Sequence, residues 1–366
     1  MSSRIGKMIQ INVFGESHGK AIGLTIEGLP SGVTLDFERI DLNLSRRRGI
    51  KELSTSRQEK DEYQIVSGYF NNKTTGTPLT FIIENKDVDD KVYDDIKDIV
   101  RPGHADYVSY LKYQGNQDYR GGGHFSGRLT TPLVIAGSIA LQLLETKGIK
   151  VGSRIKQIYD VFDEDIDYRK VSSLIDEFNL QEFPTISSER KQMMINKIIE
   201  TRKEMDSLGG IIETFVDVNN HVFGDPIFDS VEAKISSYLF SVGGLKGVSF
   251  GKGFDFASLK GSEANDSYKI ENGKVITKSN NNGGINGGIT SLEPLIINSV
   301  IKPTPSIGKE QDSVNLVTKE NVKLNIKGRH DPCIAPRALY VINSLVALAI
   351  LDMLMEEYGK RYFMEK

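Results

Sequence analysis

Cysteine is almost missing from this 366-residue chain. The single Cys333 excludes an intrachain disulfide and any cysteine-cluster metal site, and suits a reducing compartment. Strong charge of one sign is missing too: 46 basic against 49 acidic residues leave a formal net charge of −3. No global field then draws the chain to nucleic acid or an acidic membrane, and any anion site has to be local. No charged start followed by an apolar run resembles a secretion signal, and no segment reaches the roughly 18 apolar residues of a membrane span. The longest candidate, Val341 to Ile350, contains Asn343 and Ser344 and runs on into Glu356 and Glu357, so it reads as a buried helix of a cytoplasmic protein. A Pro/Ser-rich linker and a repeat of fixed period are likewise absent.

What is present suits a large mixed fold. A hydrophobic content of 39% can supply a sizeable core. Alternation over Ile9 to Val13 and Ile22 to Ile26 predicts two strands flanking a turn, closed by Gly28, Pro30 and Gly32. From Leu133 to Leu144 the apolar spacing predicts a helix ending near Gly148. Charge-rich Asp160 to Asp206 carries helical spacing, as in Met194, Ile198 and Thr201, and reads mostly as solvated helix faces. Ile211 to Val218 reads as a strand. Pro336 stands at the start of a last long helix, Ala338 to Glu357, where its missing N–H is harmless. We read an α+β chain with a single catalytic domain over residues 1–366, because the residues of chemical interest span Ser17 to Asp331.

Four of the five histidines lie in short segments of glycine, arginine and acid: GESHG (Gly15 to Gly19), RPGHAD (Arg101 to Asp106), YRGGGHFSGR (Tyr119 to Arg128) and GRHDPC (Gly328 to Cys333). Glycine lets backbone approach a ligand, histidine titrates near neutrality, and arginine pairs with phosphate or carboxylate through a fixed fork. Together they describe a site for an anionic substrate whose chemistry moves protons. Taken singly, GESHG and RPGHAD read equally as turns, with His18 on a backbone carbonyl and Arg101 and Asp106 holding the loop. Three consecutive glycines are harder to explain by packing, and Arg120 and Arg128 with Ser126 between them point to phosphate. In an extended GRHDPC, alternation places Arg329 and Asp331 on one side, one for an anion and one for a proton.

Several chemistries are excluded. The glycine run matches neither G-x-G-x-x-G nor G-x-x-x-x-G-K-[ST]. No histidine pair has the i, i+4 spacing of a helical zinc site, so no metal is expected. A Ser17–His18 nucleophile pair is set aside because adjacent side chains on an extended segment point apart. Arg46, Arg47 and Arg48 are a solvated helix face or an RNA contact by default; near-neutral charge and the lack of interleaved aromatics weigh against RNA.

Those four segments, in this order across nearly the whole chain, resemble the signature segments of chorismate synthases. Lys302, Pro303, Thr304, Pro305 and Ser306, preceded by NNGGINGGI (Asn281 to Ile289), are similar to the family's flavin-binding region. The resemblance implies helices sandwiched between antiparallel sheets, a homotetramer, and 1,4-trans elimination of phosphate from 5-enolpyruvylshikimate 3-phosphate to give chorismate. It also implies reduced FMN with no net redox change. By the same resemblance, Ser17, Arg47, Arg101, Arg128 and Arg329 bind the substrate. His18 acts on the leaving phosphate, His104 on the reduced flavin, with a pKa near operating pH, and Asp331 receives or orients the ring proton. The FMN contacts it implies are His124, Phe125, Ser126, Gly243, Gly244, Gly287, Lys302, Pro303, Thr304, Pro305, Ser306 and Arg329. An external flavin reductase, with NADPH as an indirect source of electrons, is expected to keep FMN reduced.

Two departures stand out. His124, Phe125 and Ser126 replace the Arg-Ser-Ser of many members. After Arg48 the chain reads Gly49, Ile50, Lys51, Glu52, one residue short, with Glu52 near the place of a substrate-facing arginine. Glu52 motivates an alternative, the same scaffold acting on another phosphorylated cyclic acid.

Overall fold

The computed structural model describes residues 3–50, 53, 61–86, 97–326 and 330–364. Two five-stranded antiparallel sheets frame the molecule. The first holds β1 (Arg4–Ile5), β2 (Gln10–Gly15), β3 (Ala21–Glu27), β4 (Tyr63–Ser67) and β5 (Leu79–Glu84), in the order β1-β2-β3-β5-β4. The second holds β6 (Lys150–Ile158), β7 (Val161–Phe162), β8 (Gly210–Asp217), β9 (Leu245–Phe250) and β10 (Leu295–Ile301), in the order β9-β10-β8-β6-β7. Strand period 2 aims one face of each sheet inward. In the first sheet Ile22, Leu24 and Ile26 of β3 and Leu79, Phe81 and Ile83 of β5 are all buried.

Among the described residues, seven helices of eight residues or more follow in chain order: α1 (Phe37–Arg47), α2 (Asp106–Tyr113), α3 (Thr130–Glu145), α4 (Val171–Leu180), α5 (Ser188–Lys203), α6 (Val231–Leu239) and α7 (Ala335–Tyr358). α3 packs on the first sheet, α7 on the second, and the two pack on each other, so the helices fill the space between the sheets. They come close together at Gly137, where an added Cβ would lie 2.1 Å from Cβ of Ser344. A side chain there would push the helices apart.

α7 corrects the expectation that no segment is long and apolar enough to span a membrane. By length and composition this 24-residue helix qualifies, yet its apolar stretch lies wholly inside the fold. Its polar residues are satisfied in place rather than ending it. Asn343 accepts from Ser153 Oγ at 3.0 Å, and Ser344 donates to the carbonyl of Tyr340 at 2.7 Å. The Asp352 carboxylate accepts the backbone N–H groups of Lys7, Met8 and Ile9 and the Tyr238 hydroxyl, tying the β1–β2 turn to the core.

The predicted strands and helices coincide with β2, β3, α3, α5, β8 and α7, except that Ile9 and Val218 each lie one residue outside their strand, and α5 buries Met194, Ile198 and Thr201. The Asp160 to Asp206 stretch is less solvated than expected. α4 covers the outer face of the second sheet through Val171, Ile175 and Phe178 stacked on Phe215, and Asp163 pairs with the fully buried Arg154 at 2.9 Å.

Candidate active site

GESHG forms the turn from β2 into β3 and is pinned to the glycine run: Ser17 N–H donates to the Gly123 carbonyl at 3.1 Å. His18 and Ser17 are both buried. Gly121 has φ +56°, and a Cβ on it would stand 2.1 Å from His18 Cε1 and 3.0 Å from Ser17 Oγ. Only a glycine in the left-handed region leaves room for the imidazole, which is why this run tolerates its entropic cost. The turn also corrects the reasoning against a Ser17–His18 contact. The segment is bent, not extended, and His18 Nδ1 lies 3.3 Å from Ser17 Oγ.

The three arginines ending α1 diverge. Arg46 lies over the Tyr340 ring, 5.9 Å from its centroid, Arg47 is buried, and Arg48 lines the main cavity. A row split this way does not present the single basic face an RNA contact needs. Arg47 donates to Asp61 at 2.9 Å and to Thr130 Oγ1 at 3.3 Å. Arg128 donates to the other oxygen of Asp61, and its Nε donates to Asn85 Oδ1 at 3.2 Å. Asn85 in turn donates to the carbonyls of Glu16 and Gly19, coupling Arg128 to the GESHG turn. Burial pushes the Arg47 guanidinium below its ordinary value despite Asp61, and arginine starts high enough to stay a cation.

Two expected phosphate ligands are held by their own segments. Arg120 makes two hydrogen bonds of 2.9 Å to Asp118 and is not among the residues lining the cavity, contrary to the sequence reading. Burial alone would raise the Asp118 carboxyl, but hydrogen bonds from Arg120 and the charges of Arg120 and His18 bring it down. Arg101 forms a bidentate pair with Asp106, both bonds 2.8 Å, at the cavity wall. This is the loop-holding alternative for RPGHAD.

RPGHAD meets the Lys302 to Ser306 segment. His104 Nε2 and Ser306 Oγ share a hydrogen at 2.7 Å, and Lys302 Nζ donates to the Gly103 carbonyl at 2.7 Å. The His104 imidazole is pushed down to about 4 by burial and then by the charges of Arg101 and Lys302, against Asp106. Neutral imidazole, not a group poised at operating pH, is therefore the form in this structure. The expectation fails because the surroundings are dry and cationic; a bound anion would reverse the second effect.

Around this segment the wall suits a phosphate-bearing planar group. Thr304 Oγ1 is buried without a hydrogen-bond partner, and Gly243, Gly244, Pro303 and Pro305 line the same space. A Cβ on Gly243 would meet nothing within 4 Å, so that side of the cavity is open. His124, Phe125 and Ser126 also line it. His124 turns its Nδ1–H to the Gly15 carbonyl at 2.8 Å, and Ser126 accepts from Arg128 N at 3.3 Å. Gly287 does not join them. It lies exposed in the turn of the hairpin Ile285–Asn286 to Ile289–Thr290, away from the residues lining the cavity.

The GRHDPC segment is held by a bridge between Leu208 and Cys333 and by Leu208 N–H donating to the Pro332 carbonyl at 2.7 Å. His330 and Asp331 both line the cavity; the alternation expected to set Arg329 beside Asp331 falls on Arg329, outside the described residues. Asp331 accepts from Arg337 Nη1 at 2.5 Å, and Arg337 Nε donates to the Arg47 carbonyl at 3.2 Å. Burial pushes the Cys333 thiol up to about 12, leaving it protonated. Arg329, Lys51 and Glu52 lie outside the described residues.

Asp61, Asn85, Asp118 and Arg337 escaped the sequence reading. Arg337 follows Cys333 by four residues and could have been drawn in with that segment; Asp61 and Asn85 carry no local signal.

All four motif segments meet around a cavity of about 870 Å³. Arginines, titratable histidines, one carboxylate for a proton and an open flank make this the site of an enzyme acting on a polyanionic small molecule. Residues 9–355 match the family model for chorismate synthase. The chain is 45% identical over 351 residues to a chorismate synthase of Thermococcus kodakarensis, covering 96% of this chain and 97% of that one. It is 44% identical over 350 residues to one from Pyrococcus abyssi, with the same coverages. A crystal structure of chorismate synthase superposes with a TM-score of 0.76 at 26% identity, over 97% of this chain and 94% of the other. The chain belongs to the chorismate synthase family. It is a lyase of the shikimate pathway to aromatic amino acids, eliminating phosphate from 5-enolpyruvylshikimate 3-phosphate to give chorismate, with the family's requirement for reduced flavin.

Proposed function

We propose that the cavity holds reduced FMN against the Lys302 to Ser306 wall and the substrate against the Arg47–Arg128 side, within one catalytic domain over residues 1–366. The observation carrying this reading is the convergence of Ser17, His104, Arg128, Thr304 and Asp331 on one space, with His18, itself outside the lining residues, directly behind Ser17 and Gly121, which do line it. His124, Phe125, Ser126, Gly243, Gly244, Lys302, Pro303, Thr304, Pro305 and Ser306 hold the flavin; the unpartnered Thr304 hydroxyl is a ready donor to it. Bound reduced FMN supplies electron density to the substrate ring and recovers it, without net redox change.

The chain's own residues then have distinct work. Arg47, Arg48 and Arg128 bind the substrate's phosphate and carboxylates, with Ser17 beside them. His18 stabilises or protonates the leaving phosphate. Its ring is held against Gly121 and Ser17, so its position is fixed before substrate arrives. Asp331, aimed by Arg337, receives or orients the ring proton. His104 enters neutral and takes up a proton when an anion binds beside it, becoming an acid close to the flavin.

The working form is a homotetramer in the cytoplasm, supplied with electrons by a separate reductase drawing on NADPH. Exposed Phe228, Phe254 and Ile270 are side chains that such an assembly would cover. Binding and turnover measured separately test the assignments. His18→Ala and Asp331→Ala should keep reduced-FMN affinity and lose turnover by about a hundredfold or more. Thr304→Val should weaken FMN binding first. Wild-type turnover in either of the first two variants removes that residue from the mechanism.

A further inference from the structure

We propose that Asp61 is a positioning residue for the elimination: it sets the spacing and the net charge of the guanidinium pair that receives the substrate. A carboxylate in the wall of an anion site is unexpected, since it repels what the site binds. Its geometry gives the reason. Asp61 gives one oxygen to Arg47 Nη2 and the other to Arg128 Nη1. Its side chain is 1% exposed, against 6% for Arg47 and 11% for Arg128, so the three charges meet with almost no water between them.

Two guanidinium ions this close and this dry repel each other unless an anion separates them. Without substrate, Asp61 is that anion. It leaves the trio with one net positive charge and pins each guanidinium. Arg47 has a second anchor in Thr130 and Arg128 has one in Asn85, so each planar fork is fixed on two sides. Arg47 Nε remains buried without a partner, a donor left for the substrate. Preorganised donors of this kind need no rearrangement when the anion arrives.

This inference rests on Arg47 and Arg128 being substrate contacts, so the experiment tests that separately. Arg47→Gln alone should raise KM for 5-enolpyruvylshikimate 3-phosphate by about tenfold or more; an unchanged KM removes the assignment, and the inference with it. Asp61→Asn keeps size and shape but loses the charge. It should raise substrate KM by about tenfold while reduced-FMN affinity stays within about twofold of wild type. A residue needed only for folding would move both together. In the Arg47→Gln background, Asp61→Asn should add about threefold or less, because the Arg47 half of its work is already lost and only its hold on Arg128 remains.

An unchanged or lowered KM in Asp61→Asn, parallel losses of substrate and flavin affinity, or additivity in the double variant would overturn the proposal. Should Asp61→Asn alone fail to fold, the Arg47→Gln/Asp61→Asn protein, which buries one fewer charge of each sign, carries the test. A KM within about threefold of that of Arg47→Gln supports the proposal, and a further rise of about tenfold, on the scale of the single variants, contradicts it.

Discussion

Gly121→Ala should disable the enzyme without unfolding it. The new Cβ would stand 2.1 Å from His18 Cε1 and 2.2 Å from Nδ1, where ordinary contact begins at 3.4 Å, so the ring has to retreat by about 1.3 Å. A displacement of that size at a reacting group costs roughly a hundredfold in rate, about 2.7 kcal/mol of barrier. The backbone contributes separately: alanine at φ +56° costs about 1–2 kcal/mol of stability. The assay is chorismate formation under anaerobic conditions, paired with a denaturant melt. A double-mutant cycle isolates the cause. In a His18→Ala background the methyl has no imidazole to displace, so Gly121→Ala should lower the melt and leave the residual rate unchanged. Equal loss of rate in both backgrounds, or wild-type turnover in Gly121→Ala, would refute the claim that this glycine exists to seat His18.

The His104 imidazole is depressed in the folded state to about 4, below its ordinary 6.5, so between these values the unfolded chain binds more protons. Stability at neutral pH is therefore lost as pH falls through that window, on the order of 1–2 kcal/mol by pH 5. Urea midpoints should show the loss in wild type and less of it in His104→Gln; identical slopes would contradict the assignment. Gly137→Ala puts a methyl 2.4 Å from the Ser344 backbone and should destabilise by about 1–3 kcal/mol in the same melt, although alanine is the better helix former. Asp352→Asn cannot accept all the N–H groups of Lys7, Met8 and Ile9 as the carboxylate does. It should cost about 2–4 kcal/mol and speed hydrogen exchange in the β1–β2 turn; unchanged exchange there would show that the turn holds without it.

Much of the fold was legible because the elements nearest the site carry strong local patterns. Ile22, Leu24 and Ile26 alternate, Met194 and Ile198 recur at helical spacing, and Pro336 marks the start of α7. α7 was legible to within three residues at its start and one at its end, Ala338 to Glu357 against Ala335–Tyr358. What sequence could not show is how its polar residues are satisfied, because their partners, Ser153 for Asn343 and the Lys7 to Ile9 backbone for Asp352, lie in distant strands and turns. The site divides the same way. Glycine, histidine and arginine clustered in four segments announce a common purpose, and the structure brings those segments together. The acids that hold Arg101 and Arg120, Asp106 and Asp118, are near neighbours in the chain, and for Arg101 the sequence itself leaves the loop-holding reading open. Asp61, which Arg47 and Arg128 share, lies 14 and 67 residues away from them. Pairings made across long stretches of chain leave no trace in spacing. The Ser17–His18 contact is hidden for a related reason: the spacing reads as extended backbone, whereas Gly15, at positive φ, opens a turn there.

The most direct test follows both products of one reaction. Purified protein, chemically reduced FMN and 5-enolpyruvylshikimate 3-phosphate are combined without oxygen, and chorismate and inorganic phosphate are measured together, with oxidised FMN as the control. The account predicts equal amounts of both products with reduced flavin and neither with oxidised flavin. Phosphate without chorismate, or equal turnover in both redox states of the flavin, would contradict it.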